Sequence, residues 1–108
     1  MKMNMTIEDA AQAFAALGSE QRLSVLQTLV RAGPEGLSMG TLGERSGISG
    51  STLTHHLRFL THAGLVVQER QGRSIICAAV AYDMVGALSA YLLRECCADT
   101  PEQEHPHG

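Results

Sequence analysis

Apolar residues at helical spacing open the chain. Ile7, Ala10, Ala11, Phe14 and Leu17 recur every three or four positions, the period of a helix that buries one face. Thr6-Ile7-Glu8-Asp9 has the form of a capping box, and Gly18 stops the run. Ser19 is placed to cap a second helix, with Glu20 in its first turn where the helix dipole favours an acid. Leu23, Leu26, Leu29 and Val30 make the expected buried stripe, and Gly33-Pro34-Glu35-Gly36 reads as a turn. Two short elements follow. Residues 38–46, with Met39 and Leu42, end at Gly47. Ser49 is then expected to cap a helix from about Gly50 to Ala63, with Leu53, Leu57 and Leu60 on its apolar side. Two short helices joined by a glycine-containing turn form a helix-turn-helix.

After Gly64 the period changes. Leu65 to Arg70 reads as a strand, Gln71-Gly72 as a tip, and Arg73 to Val80 as a returning strand rich in Ile and Val. This hairpin makes a wing. Tyr82 to Cys97 is again helical, with Met84, Leu88, Tyr91 and Leu92 on one face and Val85, Leu93 and Cys96 beside it. A helix apolar over more than half its girth needs a cover, and a second copy of the chain is the economical one. The expected fold is mainly α with a β-hairpin wing: a winged helix-turn-helix of four helices, two strands and a last helix. It occupies residues 1–98, with 99–108 as a flexible tail.

Composition narrows the class. At 108 residues and 44% hydrophobic, the chain supports one domain with a modest core, which dimerisation would help. It holds no apolar run long enough for a membrane span and no signal-peptide pattern, so a cytoplasmic location is expected. Three cysteines, an odd number, argue against a disulfide framework. The net charge of −3 is unhelpful to nucleic-acid binding until its distribution is considered. Residues 44–75 carry Arg45, Arg58, Arg70 and Arg73 against Glu44 and Glu69, a net +2, whereas 76–108 carry a net −4.

The positive segment contains the helix that would read DNA. Ser49, Ser51, Thr52, Thr54, His55 and His56 are short hydroxyl and imidazole residues that suit base edges and phosphates in a major groove about 12 Å wide. Arg58 and the wing arginines Arg70 and Arg73 would hold the phosphate backbone. A Ser/Thr-rich helix face is also what a merely solvated helix shows. The preceding turn-linked helix and the arginine-flanked wing favour DNA, with a palindromic duplex operator as the expected partner of a symmetric dimer.

Three segments carry a family resemblance: Ala16-Leu17-Gly18-Ser19-Glu20-Gln21-Arg22-Leu23, then Ser51-Thr52-Leu53-Thr54-His55-His56-Leu57-Arg58-Phe59-Leu60, then Ala63-Gly64-Leu65-Val66 with Gly72-Arg73. From Ala13 to Val80 the chain resembles the ArsR/SmtB family of bacterial metal- and stress-sensing repressors. The resemblance implies a winged-helix homodimer joined through its first and last helices, not an enzyme, with repression relieved by an inducer. It also supplies sensor positions to check. The family's arsenic-type Cys-x-Cys pair falls on Ser38 and Gly40, so that site is absent. The zinc-type set falls on Asp83, Val85 and the neighbourhood of Cys96 and Asp99; valine in place of a histidine makes a tetrahedral zinc site doubtful.

What remains is the adjacent pair Cys96-Cys97, with Cys77 as a possible third ligand. Thiolates select soft centres. A trivalent arsenical exchanges oxygen ligands for thiolates: arsenite offers three such positions, methylarsenite two. A cysteine pair therefore suits the methylated form. By resemblance, some family members sense trivalent arsenicals through vicinal cysteines in the last helix, some with a further cysteine shortly after; Ala98 to Glu102 has none. Antimonite, another soft metal, an oxidant or a persulfide stay open as inducers, as does simple packing of both thiols. No Cys-x-x-Cys or acid–base partner accompanies the pair, which disfavours a thiol enzyme. His62 reads as a surface residue, and His105 and His107 as weak tail donors.

Overall fold

Side-chain oxygens set three of the helix starts. In a computed structural model, which describes residues 4–100, Thr6 Oγ1 accepts the Asp9 N–H at 3.0 Å while the Asp9 carboxylate accepts the Thr6 N–H at 3.2 Å. That reciprocal pair opens α1 (Ile7–Leu17). Ser19 Oγ accepts the Arg22 N–H and opens α2 (Glu20–Ala32). Ser38, which ends the short strand β1 (Leu37–Ser38), accepts the Thr41 N–H and opens α3 (Met39–Ser46). Ser49 departs from expectation. It holds the N-cap position of α4 (Gly50–His62), but its side chain makes no capping bond.

Leucines from several elements meet in one core. Leu26 and Leu29 of α2, Leu42 of α3, and Leu53, Leu57 and Leu60 of α4 are all buried, with Val25, Leu65 and Val66 among them. Each fully buried aliphatic side chain contributes roughly 1.5–3 kcal/mol, so this cluster fixes how α2, α3 and α4 cross. On α1 the buried face is Ala10, Ala13 and Ala16. Ile7 and Phe14, expected inside, are 70% and 42% exposed, and Leu23 and Val30 of α2 are also left at the surface. Small residues let α1 lie close to its neighbours, which turns its larger side chains to one flank.

The wing is part of a three-stranded sheet. β2 (Val66–Gln71) and β3 (Ser74–Ala79) pair antiparallel from Val66↔Ala79 to Gln71↔Ser74, with Gly72 and Arg73 at the tip. β1 pairs with the other edge of β3, Leu37 opposite Cys77 and Ser38 opposite Ile76, giving the order β1-β3-β2. This third strand was not expected, because two residues are too few to show a period. It makes β3 central and buries Cys77.

The last helix is shorter than expected. α5 (Ala81–Leu93) stops before the cysteines, and residues 94–99 run on as turns. Leu88 is buried and Met84 and Tyr91 pack against the core. Leu92, grouped with them by spacing, instead faces outward with Val85, Leu93 and a 91% exposed Tyr82. No helix among the described residues is long and apolar enough to cross a membrane.

β1 sits close to β3 only because Gly36 precedes it. Gly36 has φ +76°, and a Cβ there would overlap the carbonyl oxygen of Cys77. Gly36→Ala is expected to lower stability by about 2 kcal/mol or more. Urea unfolding measures this, and an unchanged midpoint would contradict the close approach.

Candidate nucleic-acid interface

Helix α4 divides into two faces. Leu53, His56, Leu57 and Leu60 are buried; Ser51, Thr52, Thr54, His55 and Arg58 are exposed. At about 100° per residue, Ser51, His55, Arg58 and His62 fall within a sector of about 60°, with Thr52 and Thr54 on its two flanks. Ser49 and Gly50 stand exposed at the start of this face. With no capping bond from Ser49, first-turn amides stay available to an acceptor from outside. Thr54 Oγ1 donates to the Gly50 carbonyl at 3.3 Å, so its oxygen lone pairs remain for a donor. Arg70 on β2 and Arg73 at the wing tip are both exposed. The turn into α4 is held by Gly47, whose φ of 77° is left-handed, and by the Ile48 N–H donating to Ser46 Oγ at 3.2 Å.

His56 does not belong to the outward face. It is 7% exposed, and its Nε2 meets Gln21 Oε1 at 3.0 Å. Because Gln21 Oε1 accepts only, Nε2 carries the proton, and Nδ1 is buried with no partner among the described residues. Burial holds the imidazole pKa below its ordinary value, and the positive Arg22 and neighbouring His55 lower it further. The spacing of 53, 56, 57 and 60 carried this signal, but the residue type pointed to DNA instead.

Sequence reasoning did not identify the residues that seat α4. Gln21, just described, is one, and its neighbour Arg22 is the other. Arg22 Nε donates to the Ala16 carbonyl at 2.8 Å and Nη2 to the Ala15 carbonyl at 3.3 Å, satisfying the end of α1. Its guanidinium lies 4.5 Å from the centre of the Phe59 ring of α4.

The cysteines occupy two places. Cys96 and Cys97 are exposed, with their sulfurs 3.4 Å apart, in the turn beyond α5. Cys97 has a φ of 65°, in the left-handed region. The hydrogen bond between the thiols raises the Cys97 pKa, with desolvation and the neighbouring sulfur's charge adding to the rise. Two metal–sulfur bonds of about 2.3 Å meeting at roughly 90–109° place their sulfurs about 3.3–3.8 Å apart, so the pair already has a chelating separation. A disulfide between them fits less well. Neighbouring Cα atoms lie about 3.8 Å apart, below the roughly 4.4–6.8 Å that disulfides span.

Cys77 is buried in β3, where Gln68 Nε2 donates to its sulfur at 3.6 Å and Met39 Sδ also lies at 3.6 Å. Burial raises its pKa, opposed by the Gln68 hydrogen bond. The third-ligand expectation therefore fails within one chain: Cys77 has other neighbours, and among the described residues no cluster of three His, Cys, Asp or Glu is placed to hold a metal. Ser38 acts as a helix cap, while Asp83 and Val85 lie exposed on α5. His105 and His107 lie outside the described residues.

Known proteins resemble this chain in sequence and fold. Residues 17–69 match the family described as "Helix-turn-helix domain". The chain is 39% identical over 64 residues to YceK, an uncharacterized HTH-type transcriptional regulator of Bacillus subtilis, matching 59% of this chain and 63% of that protein. It is 42% identical over 66 residues to the HTH-type transcriptional regulator NmtR of Mycobacterium tuberculosis, matching 61% of this chain and 52% of that one. The matches thus span less than two thirds of either relative. A crystallised ArsR family transcriptional regulator superposes with a TM-score of 0.73 at 25% identity, covering 94% of this chain and all of the other.

The lowered pKa of His56 links stability to acidity. Between the folded-state pKa and the ordinary value of 6.5, the unfolded chain binds the extra proton and the folded chain resists it. Stability is therefore expected to fall as pH drops below about 6.5. His56→Gln, which carries no titrating proton, should lose less stability between about pH 7.5 and pH 5.5 than the wild type does. Equal losses in urea unfolding at the two values would contradict the buried, uncharged assignment.

Proposed function

We propose that this chain, a member of the ArsR family of winged helix-turn-helix regulators, is a cytoplasmic homodimeric repressor released from operator DNA by a thiophilic inducer. The DNA reading is carried by the exposed sector of α4, where Ser51, Thr52, Thr54, His55 and Arg58 rest on a leucine-backed helix. These side chains enter the major groove, with Ser49 and the α4 N-terminus against phosphate and Arg70 and Arg73 along the flanking backbone. His56 has a different role: it seats the helix. The dimer reading is supported by the uncovered apolar faces of α1 and α5, which carry Ile7, Phe14, Tyr82, Val85, Leu92 and Leu93. A second copy covers them and presents the two recognition helices about 34–36 Å apart, in successive major grooves.

The inducer reading is supported by the 3.4 Å separation of two exposed thiols. Methylarsenite gives up two hydroxyls, each leaving as water with one thiol proton, while Cys96 and Cys97 form two arsenic–sulfur bonds. No reductant or oxidant is consumed. The pair lies just beyond the apolar face of α5, so drawing both sulfurs onto one atom repositions the end of that helix at the dimer contact. A small rotation there moves the recognition helices off the groove spacing. Arsenite is a weaker fit, since it leaves its third position on oxygen when Cys77 is not at hand.

Release of a fluorescent operator duplex, followed by anisotropy, tests the inducer. Methylarsenite should release the wild type, while Cys96→Ser and Cys97→Ser should stay bound. Release of both variants at wild-type concentrations removes the thiol pair from the mechanism. Release by peroxide or persulfide, but not by methylarsenite, assigns the pair to redox or sulfur sensing instead. The phosphate role of the wing has its own measure: Arg73→Ala should lower the slope of log affinity against log salt by about 1.

A further inference from the structure

A cleft lies against α4. Between the end of α1, the first turn of α2 and the outer flank of α4 is a cleft of about 440 Å³. That is within the roughly 300–1,000 Å³ of small-molecule sites. Its apolar surface comes from Ala15, Ala16 and the ring of Phe59, which is 43% exposed. Around it stand Arg22, Arg58, His55 and His62, and among the described residues no acid lines it. Arg22 covers the Phe59 ring at 4.5 Å, and the His55 ring meets Phe59 edge-on at 5.0 Å.

The lining is apolar at its base and cationic at its rim. A flat aromatic body fits against Phe59 and the alanines, and a carboxylate fits among two guanidiniums and two imidazoles. Arg22 uses two of its five N–H donors on the α1 carbonyls, which leaves others for an anion. We propose that this cleft binds small aromatic carboxylates and that their binding competes with DNA. Arg58 and His55 are shared between the two: an occupant that draws them into the cleft removes them from the groove. On α1 the exposed apolar residues and the cleft residues lie mostly on opposite flanks, with Ala15 between them. At about 100° per residue, Ile7 and Phe14 project from one flank of α1, and Gln12 and Ala16 from the flank roughly 170° away.

The competition rests on the repressor reading; the binding does not, so binding is measured first without DNA. 2-Naphthoate titrated into isotopically labelled protein should shift the NMR signals of the His55 and His62 imidazoles and the Phe59 ring saturably. Naphthalene-2-carboxamide, of the same shape without the charge, should bind about tenfold more weakly. Arg58→Gln should weaken naphthoate about fivefold or more and leave the carboxamide unchanged, a charge-specific split that loss of structure would not produce. With operator duplex present, naphthoate should displace it. Equal affinity for acid and amide, or no saturable shift up to about 10 mM, overturns the proposal. So does naphthoate binding without displacement. If naphthoate fails to bind while His62→Gln weakens DNA binding, the cleft is a seat for DNA phosphate and the proposal is likewise overturned.

Discussion

At the first turn of α2, two consecutive side chains reach in different directions. Arg22 turns back to the open carbonyls of α1 and lies over Phe59 of α4. Gln21 meets the buried imidazole of His56, also on α4. Leucines could hold α4 in place with some freedom to slide, because apolar contact has no preferred direction. Hydrogen bonds and a cation stacked on a ring do have one. This turn therefore sets how α4 sits against α1 and α2, and with it where the outward side chains point. The wing, the cleft and the exposed apolar flank of α1 are all placed relative to that helix.

Two ionisable arrangements meet near this point with opposite demands. His56 is buried neutral, and Arg22 nearby adds to the cost of charging it. On the other side of the helix, Arg58 stands in solvent. One helix thus keeps an uncharged imidazole on its core face and a guanidinium on its exposed face. The division is stable because leucines at positions 53, 57 and 60 exclude water from one side only.

The thiols show how position changes chemistry. Cys77 lies in the central strand beside a thioether and an amide, and burial there favours the protonated thiol. Cys96 and Cys97 lie where α5 has ended, and Cys97 takes a left-handed backbone. On a continuing helix adjacent side chains diverge by about 100°. In the turn their sulfurs stand 3.4 Å apart. The end of the helix, more than the adjacency of the two residues, brings the sulfurs to that separation.

Local patterns alone determined much of this protein. The caps at Thr6 and Ser19, the glycine turn at Gly47, the leucine stripe of α4 and the switch from helix to strand after Gly64 each depend on neighbours a few residues apart. Such signals act over short stretches of chain, so they are legible in its order. Other features needed distant segments to meet. β1 exists because Gly36 allows two residues to pair with β3, some forty positions on. His56 turned inward to reach Gln21, and Cys77 parted from the other thiols because the sheet enclosed it. Ile7 and Phe14 were left outside because alanines were enough to seat α1. Spacing shows which residues share a face; only packing decides what that face meets, because burial depends on the shape and volume contributed by every other element.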